Sequence, residues 1–227
     1  MVRLIGLLGT KGAGKDTAAT FMVSEMGFVR TSFAAALYNQ VAEAYGVSVS
    51  FLENRETKEK PLSELALLNC KNSEFTEIVL RHLVLQAEEF VAQELLLEPR
   101  SPRWTLQLWG TEYRRRSKYG YDSYWLDQVA ALSAANSDTR YVITDVRFKN
   151  EADWVENQGG ILIRVRRPVL EAKEAAARAA GTLTALHPSE TELLDRKVNA
   201  ELINREGEPD SLRSALYEVL RLHSQAA

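Results

Sequence analysis

The chain has 227 residues, of which 45% are hydrophobic and 26% charged, with twelve Gly and six Pro. That composition excludes collagen-like, low-complexity and disordered chains and fits one or two folded domains. A net charge of −3 leaves no basic field to hold a long nucleic acid, so any phosphate chemistry must be local.

Residues 2–8 form a short, nearly continuous apolar run closed by Gly9, the pattern of a strand covered on both faces of a parallel sheet. A glycine-rich loop follows, and Ala18, Ala19, Phe21, Met22 and Met26 recur at helical spacing over 15–26, with Gly27 where a left-handed cap belongs. Residues 28–31 predict a second strand and 33–45 a helix ending at Gly46. The stretch 48–60 is polar and charged, whereas 63–69 and 73–97 carry helix formers around Phe75, Ile78, Val79, Leu83, Phe90 and Val91. Pro99 and Pro102 interrupt, a helix resumes over about 103–116, and Asp122 or Ser123 caps another reaching about 132.

Beyond it the alternation of strand and helix returns. Residues 140–145 and 160–165 predict strands separated by a helix over 151–157; 170–180 predicts a helix, 200–203 a terminal strand and 210–222 a last helix. The expected fold class is α/β: three layers around a mostly parallel sheet of about five strands, with helical insertions. The single Cys70 excludes an intramolecular disulfide, and with His82, His187 and His223 scattered there is no zinc set, so a reducing cytoplasm is expected. Apolar runs such as 4–8 and 95–97 fall far short of the ~20 residues of a membrane span, and residues 1–3 carry no cleavable signal pattern.

Gly9-Thr-Lys-Gly-Ala-Gly14-Lys15-Asp16-Thr17 matches the phosphate-binding loop G-x-x-x-x-G-K-[ST], except that Asp16 stands at the hydroxyl position and Thr17 follows it. Glycines turn successive backbone N–H groups toward one anion, a helix starting at Lys15 adds its positive end, and the Lys15 ammonium reaches the terminal phosphates. A carboxylate beside a polyphosphate is repelled unless a cation lies between them, so Asp16 implies magnesium, with Thr17 as a source of the missing hydroxyl. Asp145 ends an apolar strand, where a metal-organising acid sits in phosphate-binding α/β proteins, and Arg147 stands two residues on; a surface ion pair is the plainer reading of those two.

Two basic clusters, Arg103 with Arg114–Arg116 and Arg164 with Arg166 and Arg167, are either solvated faces or phosphate ligands. Ser189 and Glu192 have capping-box spacing, so His187 beside them receives no catalytic role. The aromatics Phe33, Trp104, Trp109, Tyr124 and Trp125 either fill the core or stack on a nucleobase.

Together these landmarks resemble the deoxynucleoside monophosphate kinases of tailed bacteriophages, which are P-loop kinases. The resemblance spans nearly the whole chain: residues 8–17, Phe33-Ala34, 106–112 with Tyr124-Trp125, Ile143–Arg147 with Glu151, Gly159-Gly160, 165–168 and 187–190. It implies one kinase domain with a core at 1–33, 133–166 and 193–227, an acceptor-binding insertion at about 34–132 and a lid at about 166–192. It further implies that Lys11, Gly12, Ala13, Gly14, Lys15, Asp16, Thr17 and Arg167 bind ATP. Asp16, Thr17 and Asp145 would hold Mg2+. Lys11, Phe33, Arg103, Gln107, Gly110, Thr111, Trp125, Asp145, Arg147 and Glu151 would contact the deoxynucleotide, and Lys15, Asp145 and Arg147 would act in catalysis. The expected reaction is phosphoryl transfer from Mg-ATP to a deoxynucleoside 5′-monophosphate, in the host cytoplasm if the chain is phage-encoded. A kinase for a non-nucleotide or modified-base phosphorylated acceptor and a non-catalytic nucleotide switch are the alternatives. Neither a membrane nor a long nucleic acid is an expected partner, while the helical face at 73–97 suits a second copy of the chain as well as it suits core packing.

Overall fold

Five apolar runs become strands in the computed structural model, which describes residues 2–84, 92–118, 120–136, 138–180 and 192–225. They are β1 (Leu4–Leu8), β2 (Phe28–Thr31), β3 (Arg140–Ile143), β4 (Ile161–Arg166) and β5 (Ala200–Ile203). Their order in the sheet is β2-β3-β1-β4-β5, and every pairing is parallel. β1 is buried at all five positions, which is why it reads as an unbroken apolar run with no alternation.

On one face, α1 (Lys15–Met26) and α10 (Pro209–Gln225) lay Ala18, Ala19, Met22, Leu212 and Leu216 against Ile5, Leu7, Val142, Ile163 and Leu202. On the other lies α8 (Lys149–Asn157), whose Val155 would stand 3.3 Å from a Cβ added at Gly6, a position also closed by Val146 and Leu162 at 2.9 Å. The architecture is therefore a three-layer α/β fold with a parallel sheet. β1 and β3 are neighbours whose following helices, α1 and α8, go to opposite faces, so their carboxyl ends are a switch point of the sheet, the place where ligands enter such folds.

The chain divides into two compact units, Met1–Phe33 with Val129–Ala227 and Ala34–Gln128. The second is helical: most of α2 (Phe33–Tyr45), then α3 (Val49–Glu53), 3-10 turns at Ser63–Leu65 and Leu67–Asn69, α4 (Ser73–Val84), α5 (Ala92–Leu97), α6 (Pro102–Gln107) and the start of α7 (Tyr124–Ala135). Its centre is aromatic, with Phe75 4.6 Å from Trp109 and Tyr113 5.1 Å from Trp109, ring centre to ring centre.

Three local expectations change. The polar stretch 48–60 contains α3, because the Ser48 hydroxyl caps it by accepting from Phe51 N at 3.1 Å. The expected helix over 103–116 starts one residue earlier, with Ser101 as its cap, and widens into a π-helical turn at Leu108–Tyr113 that buries Trp109, Gly110 and Tyr113 together. α9 (Pro168–Ala179) begins at Pro168, whose fixed φ suits a first helical position. Of the helix expected over 73–97, the part at 85–91 lies outside the described residues, as do 181–191, which hold His187, Ser189 and most of the distal half of the expected lid. Among the described residues no helix is long and apolar enough to cross a membrane.

Candidate functional site

The loop between β1 and α1 is held open from three sides. Gly14 has φ +109°, a conformation that side chains disfavour, and an added Cβ there would run into the amide of Asn204. Gly9 has φ +138°, and a Cβ would meet the Val165 carbonyl of neighbouring β4. The Asn204 side chain, one residue past β5, donates from Nδ2 to the Ala13 carbonyl at 2.8 Å, tying the loop to the sheet. Lys15 Nζ folds across the loop, donating to Gly9 O at 2.6 Å and Thr10 O at 2.9 Å. The ammonium is thus held over a concave backbone at the start of a twelve-residue helix, which is the physical recipe for seating a phosphate. Lys11, Asp16 and Thr17 are exposed along its rim.

Asp16 is ion-paired with Arg30 of β2, a residue that no sequence pattern singles out because the partners are fourteen positions apart. Asp145 lies two residues beyond the β3 position that pairs with Gly6 of β1, so it stands at the same sheet edge as the loop that opens at Gly9. Its Oδ1 accepts from Phe33 N at 2.8 Å and so fixes the start of α2. The Arg147 side chain is exposed, while its backbone N–H and that of Phe148 donate to Glu151 Oε2 at 2.9 and 3.1 Å.

Glu151, expected on the acceptor side, is only 3% exposed. It braces the turn carrying Arg147 from inside. The Phe33 ring is buried edge-on to Trp154, with centroids 6.3 Å apart, the packing use that the sequence leaves open beside stacking on a base.

In the helical unit, Trp125 is buried and donates from Nε1 to the Gly110 carbonyl at 3.0 Å. Its one polar atom is thus committed within the fold. Gly110 is itself buried, with Leu37 3.3 Å from where a Cβ would stand. Arg103 and Gln107 are exposed and Thr111 is half-buried, with Arg103 paired to Glu59. Arg114 is built into the structure, its Nε donating to Gln40 Oε1 at 3.0 Å and its guanidinium 4.2 Å from the Tyr113 ring centre and 4.8 Å from that of Tyr124.

The second basic cluster also separates by role. Arg164 donates to the carbonyls of Leu193 and Arg196, both at 2.8 Å, and Arg166 grips Glu171 through two hydrogen bonds at 3.0 and 2.7 Å. Their mutual hydrogen bonding raises the Arg166 pKa and lowers that of Glu171. Both arginines are thereby engaged within the fold, whereas the sequence alone leaves the cluster open between a solvated face and phosphate ligands. Arg167 instead reaches Glu206 at 2.9 Å, and the two flank a cavity of about 240 Å³ lined also by Gly12, Val169, Leu170 and Lys173.

Among the described residues no three His, Cys, Asp or Glu side chains converge on a metal position. The oxygen donors available, the Asp16 and Asp145 carboxylates and the Thr17 hydroxyl, fit Mg2+, which takes one or two protein carboxylates and fills its shell with water and substrate phosphates.

No protein-family model matches the chain. Two curated viral proteins are homologous to it over most of its length. One, from Acanthamoeba polyphaga mimivirus, is provisionally named a deoxynucleotide monophosphate kinase and is 29% identical over 200 residues, 84% of this chain and 81% of that protein. The other, from Escherichia phage T5, is named deoxynucleoside-5′-monophosphate kinase and is 25% identical over 247 aligned positions, 94% of each chain. A Thermus thermophilus protein of known crystal structure is 18% identical with a TM-score of 0.42, covering 97% of both chains.

Proposed function

We propose, taking as premise this homology to viral deoxynucleotide monophosphate kinases, that the chain transfers the γ-phosphoryl group of ATP to a deoxynucleoside 5′-monophosphate. The observation that carries the reading is the open loop with Lys15 across it, on the same sheet edge as Asp145.

An oxygen of the acceptor phosphate forms a bond to the γ-phosphorus as the bond to the β–γ bridging oxygen breaks, giving ADP and a deoxynucleoside diphosphate. The attacking oxygen is already ionised near neutral pH, so no general base is required and the work is alignment and charge neutralisation. Backbone N–H groups of the loop from Gly12 to Thr17 seat the donor phosphates, Lys15 balances charge on the transferred group, and Lys11 lies on the exposed rim beside it. Asp16, Thr17 and Asp145 are the residues that would hold Mg2+, which would supply charge neutralisation for the donor phosphates. Arg147, on a turn braced by Glu151, supplies an exposed cation for the acceptor phosphate. Arg167 and the cavity beside Gly12 take the donor nucleoside, and α9, which supplies Val169, Leu170 and Lys173 to that cavity, shields it from water. Arg103, Gln107 and Thr111 are the acceptor-side candidates of the insertion.

A coupled ADP-release assay with ATP and each of the four deoxynucleoside monophosphates, beside the matching ribonucleotides, tests the reading. Turnover with one or more deoxynucleotides supports it. ADP release only with another phosphorylated acceptor overturns the substrate assignment, and ATP binding with no acceptor-dependent release overturns catalysis in favour of a switch.

A further inference from the structure

The phosphate loop is shaped by a residue outside it. The Ala13 carbonyl receives its side-chain hydrogen bond from Asn204, 191 positions away in sequence. Asn204 is itself anchored, because its backbone N–H donates to Arg166 O at 2.7 Å, extending the β4–β5 ladder by one rung beyond Ile203. The same amide occupies the space that a side chain at position 14 would need. Gly14 is therefore required twice, once by its φ of +109° and once by Asn204.

A peptide unit is planar, so fixing the Ala13 carbonyl fixes the direction of the Gly14 N–H on its other side. With the carbonyl drawn toward Asn204, that N–H points the opposite way. A flipped peptide would present an oxygen in its place, and one lone pair aimed at a polyanion costs more than a missing donor. Resting on the kinase reading, we propose that Asn204 is a positioning residue of the donor site, holding the Ala13–Gly14 peptide in the orientation that offers nitrogen, not oxygen, to the phosphates. The loop that follows it carries Glu206, which pairs with Arg167 on the wall of the cavity beside Gly12. One short connection between β5 and α10 thus touches both the phosphate loop and the adjoining cavity.

Asn204→Asp separates this role from simple packing, because it keeps the shape but replaces the donor by a carboxylate facing a carbonyl. The full-length protein is titrated calorimetrically with inorganic tripolyphosphate and with ATP, and KM for ATP is compared with KM for the acceptor. Asn204→Asp and Asn204→Ala are expected to weaken both titrants about tenfold or more and to raise KM for ATP while KM for the acceptor stays within about twofold; one lost hydrogen bond to a charged ligand site has that size. Wild-type affinity in a folded Asn204→Asp protein overturns the proposal, as does an equal rise in both KM values. If neither variant folds, the wild type decides by NMR: a resolved scalar coupling between the Asn204 side-chain amide and the Ala13 carbonyl carbon supports the role, and its absence overturns it. Failure of the wild type to bind tripolyphosphate and ATP would instead refute the kinase reading, and the NMR coupling would still report on the hydrogen bond.

Discussion

The sheet unit and the helical unit 34–128 are stabilised in different ways. In the first, aliphatic side chains such as Ile5, Leu7, Val142 and Ile163 fill the space between strands and helices, and the functional surface is mostly backbone, carried on loops at the strand ends. In the second, Phe75, Trp109, Tyr113 and Trp125 form the centre, and a polar network runs through it: Gln40 Oε1 accepts from Trp109 Nε1 at 3.1 Å and from Arg114 Nε at 3.0 Å, while Gln40 Nε2 donates to Tyr124 OH at 2.8 Å. An aliphatic core under a loop of glycines separates stability from site chemistry. An aromatic core threaded by hydrogen bonds does not, because each large ring there also fixes the direction of a polar atom.

The sharpest way to break the contrast is to remove one ring. Trp109→Ala should cost about 3–5 kcal/mol, read as a lower midpoint in urea, because it opens a large cavity and also leaves Gln40 with one fewer donor. Lys15→Ala is the opposite case. Its Nζ donates to two loop carbonyls outside the core, so the melting temperature should hold while acceptor-dependent ADP release falls by about 10²–10³-fold or more. Melting that drops with Lys15→Ala as it does with Trp109→Ala would show that the sheet unit does not keep the two properties apart.

A middle effect comes from Gln40→Leu, which keeps the volume but leaves the Trp109 and Arg114 N–H groups without that acceptor and should cost about 1–3 kcal/mol. Gln40→Glu, retaining an acceptor beside Arg114, should recover most of it by the same urea measurement. Smaller still is Arg30→Gln. The Asp16–Arg30 pair is substantially exposed, with side chains 71% and 48% accessible, so stability should change by less than about 1 kcal/mol. ATP binding in EDTA should nevertheless weaken a few-fold, because Asp16 then repels the phosphates without a counter-ion, and the difference from wild type should narrow as Mg2+ is added. Calorimetric titrations at several Mg2+ concentrations would show it.

The residues that were legible in the sequence are those whose environment is set locally. β1 shows itself because both faces of a parallel strand are covered, and the loop shows itself because Gly9, Gly12 and Gly14 need positive φ. Asn204, Arg30 and Glu151 were not legible as what they are. Asn204 is one polar residue after an edge strand, and its meaning depends on a contact 191 positions away. Glu151 looks like any first-turn carboxylate until burial shows that it holds a turn. Trp125 and Arg114 could not be assigned from sequence between fold and nucleotide, and in the fold Gly110 and Gln40 engage their N–H groups. Composition marks which groups are capable of binding, and only packing reveals which of them are already engaged.

The smallest expected effects concern pH, and they carry opposite signs in the two units. In the sheet unit the Glu171 carboxyl is held below its ordinary value by hydrogen bonding to Arg166. Its folded form binds a proton less readily than its unfolded form, so its contribution is present above about pH 4.3 and is lost as pH falls toward the folded value. In the helical unit burial raises the Cys70 thiol and the Tyr45 hydroxyl. Here the folded protein keeps a proton that the unfolded chain releases, so the contribution is complete below about pH 8.5 for Cys70 and about pH 10 for Tyr45, and declines as pH rises beyond each. Melting temperatures from pH 3 to 5 should therefore depend less on pH in Glu171→Gln than in the wild type, and those from pH 8.5 to 10 less in Cys70→Ala, with each variant unaltered at the other end. Because Glu171 and Arg166 are partly exposed, with side chains 32% and 43% accessible, the acid change should be the fainter of the two. An acid limb steeper than the alkaline one would mean that the ion pair on β4 and α9 does more for stability than the buried Tyr45 hydroxyl and the half-buried Cys70 thiol, reversing the contrast between a plain frame and a polar-threaded core.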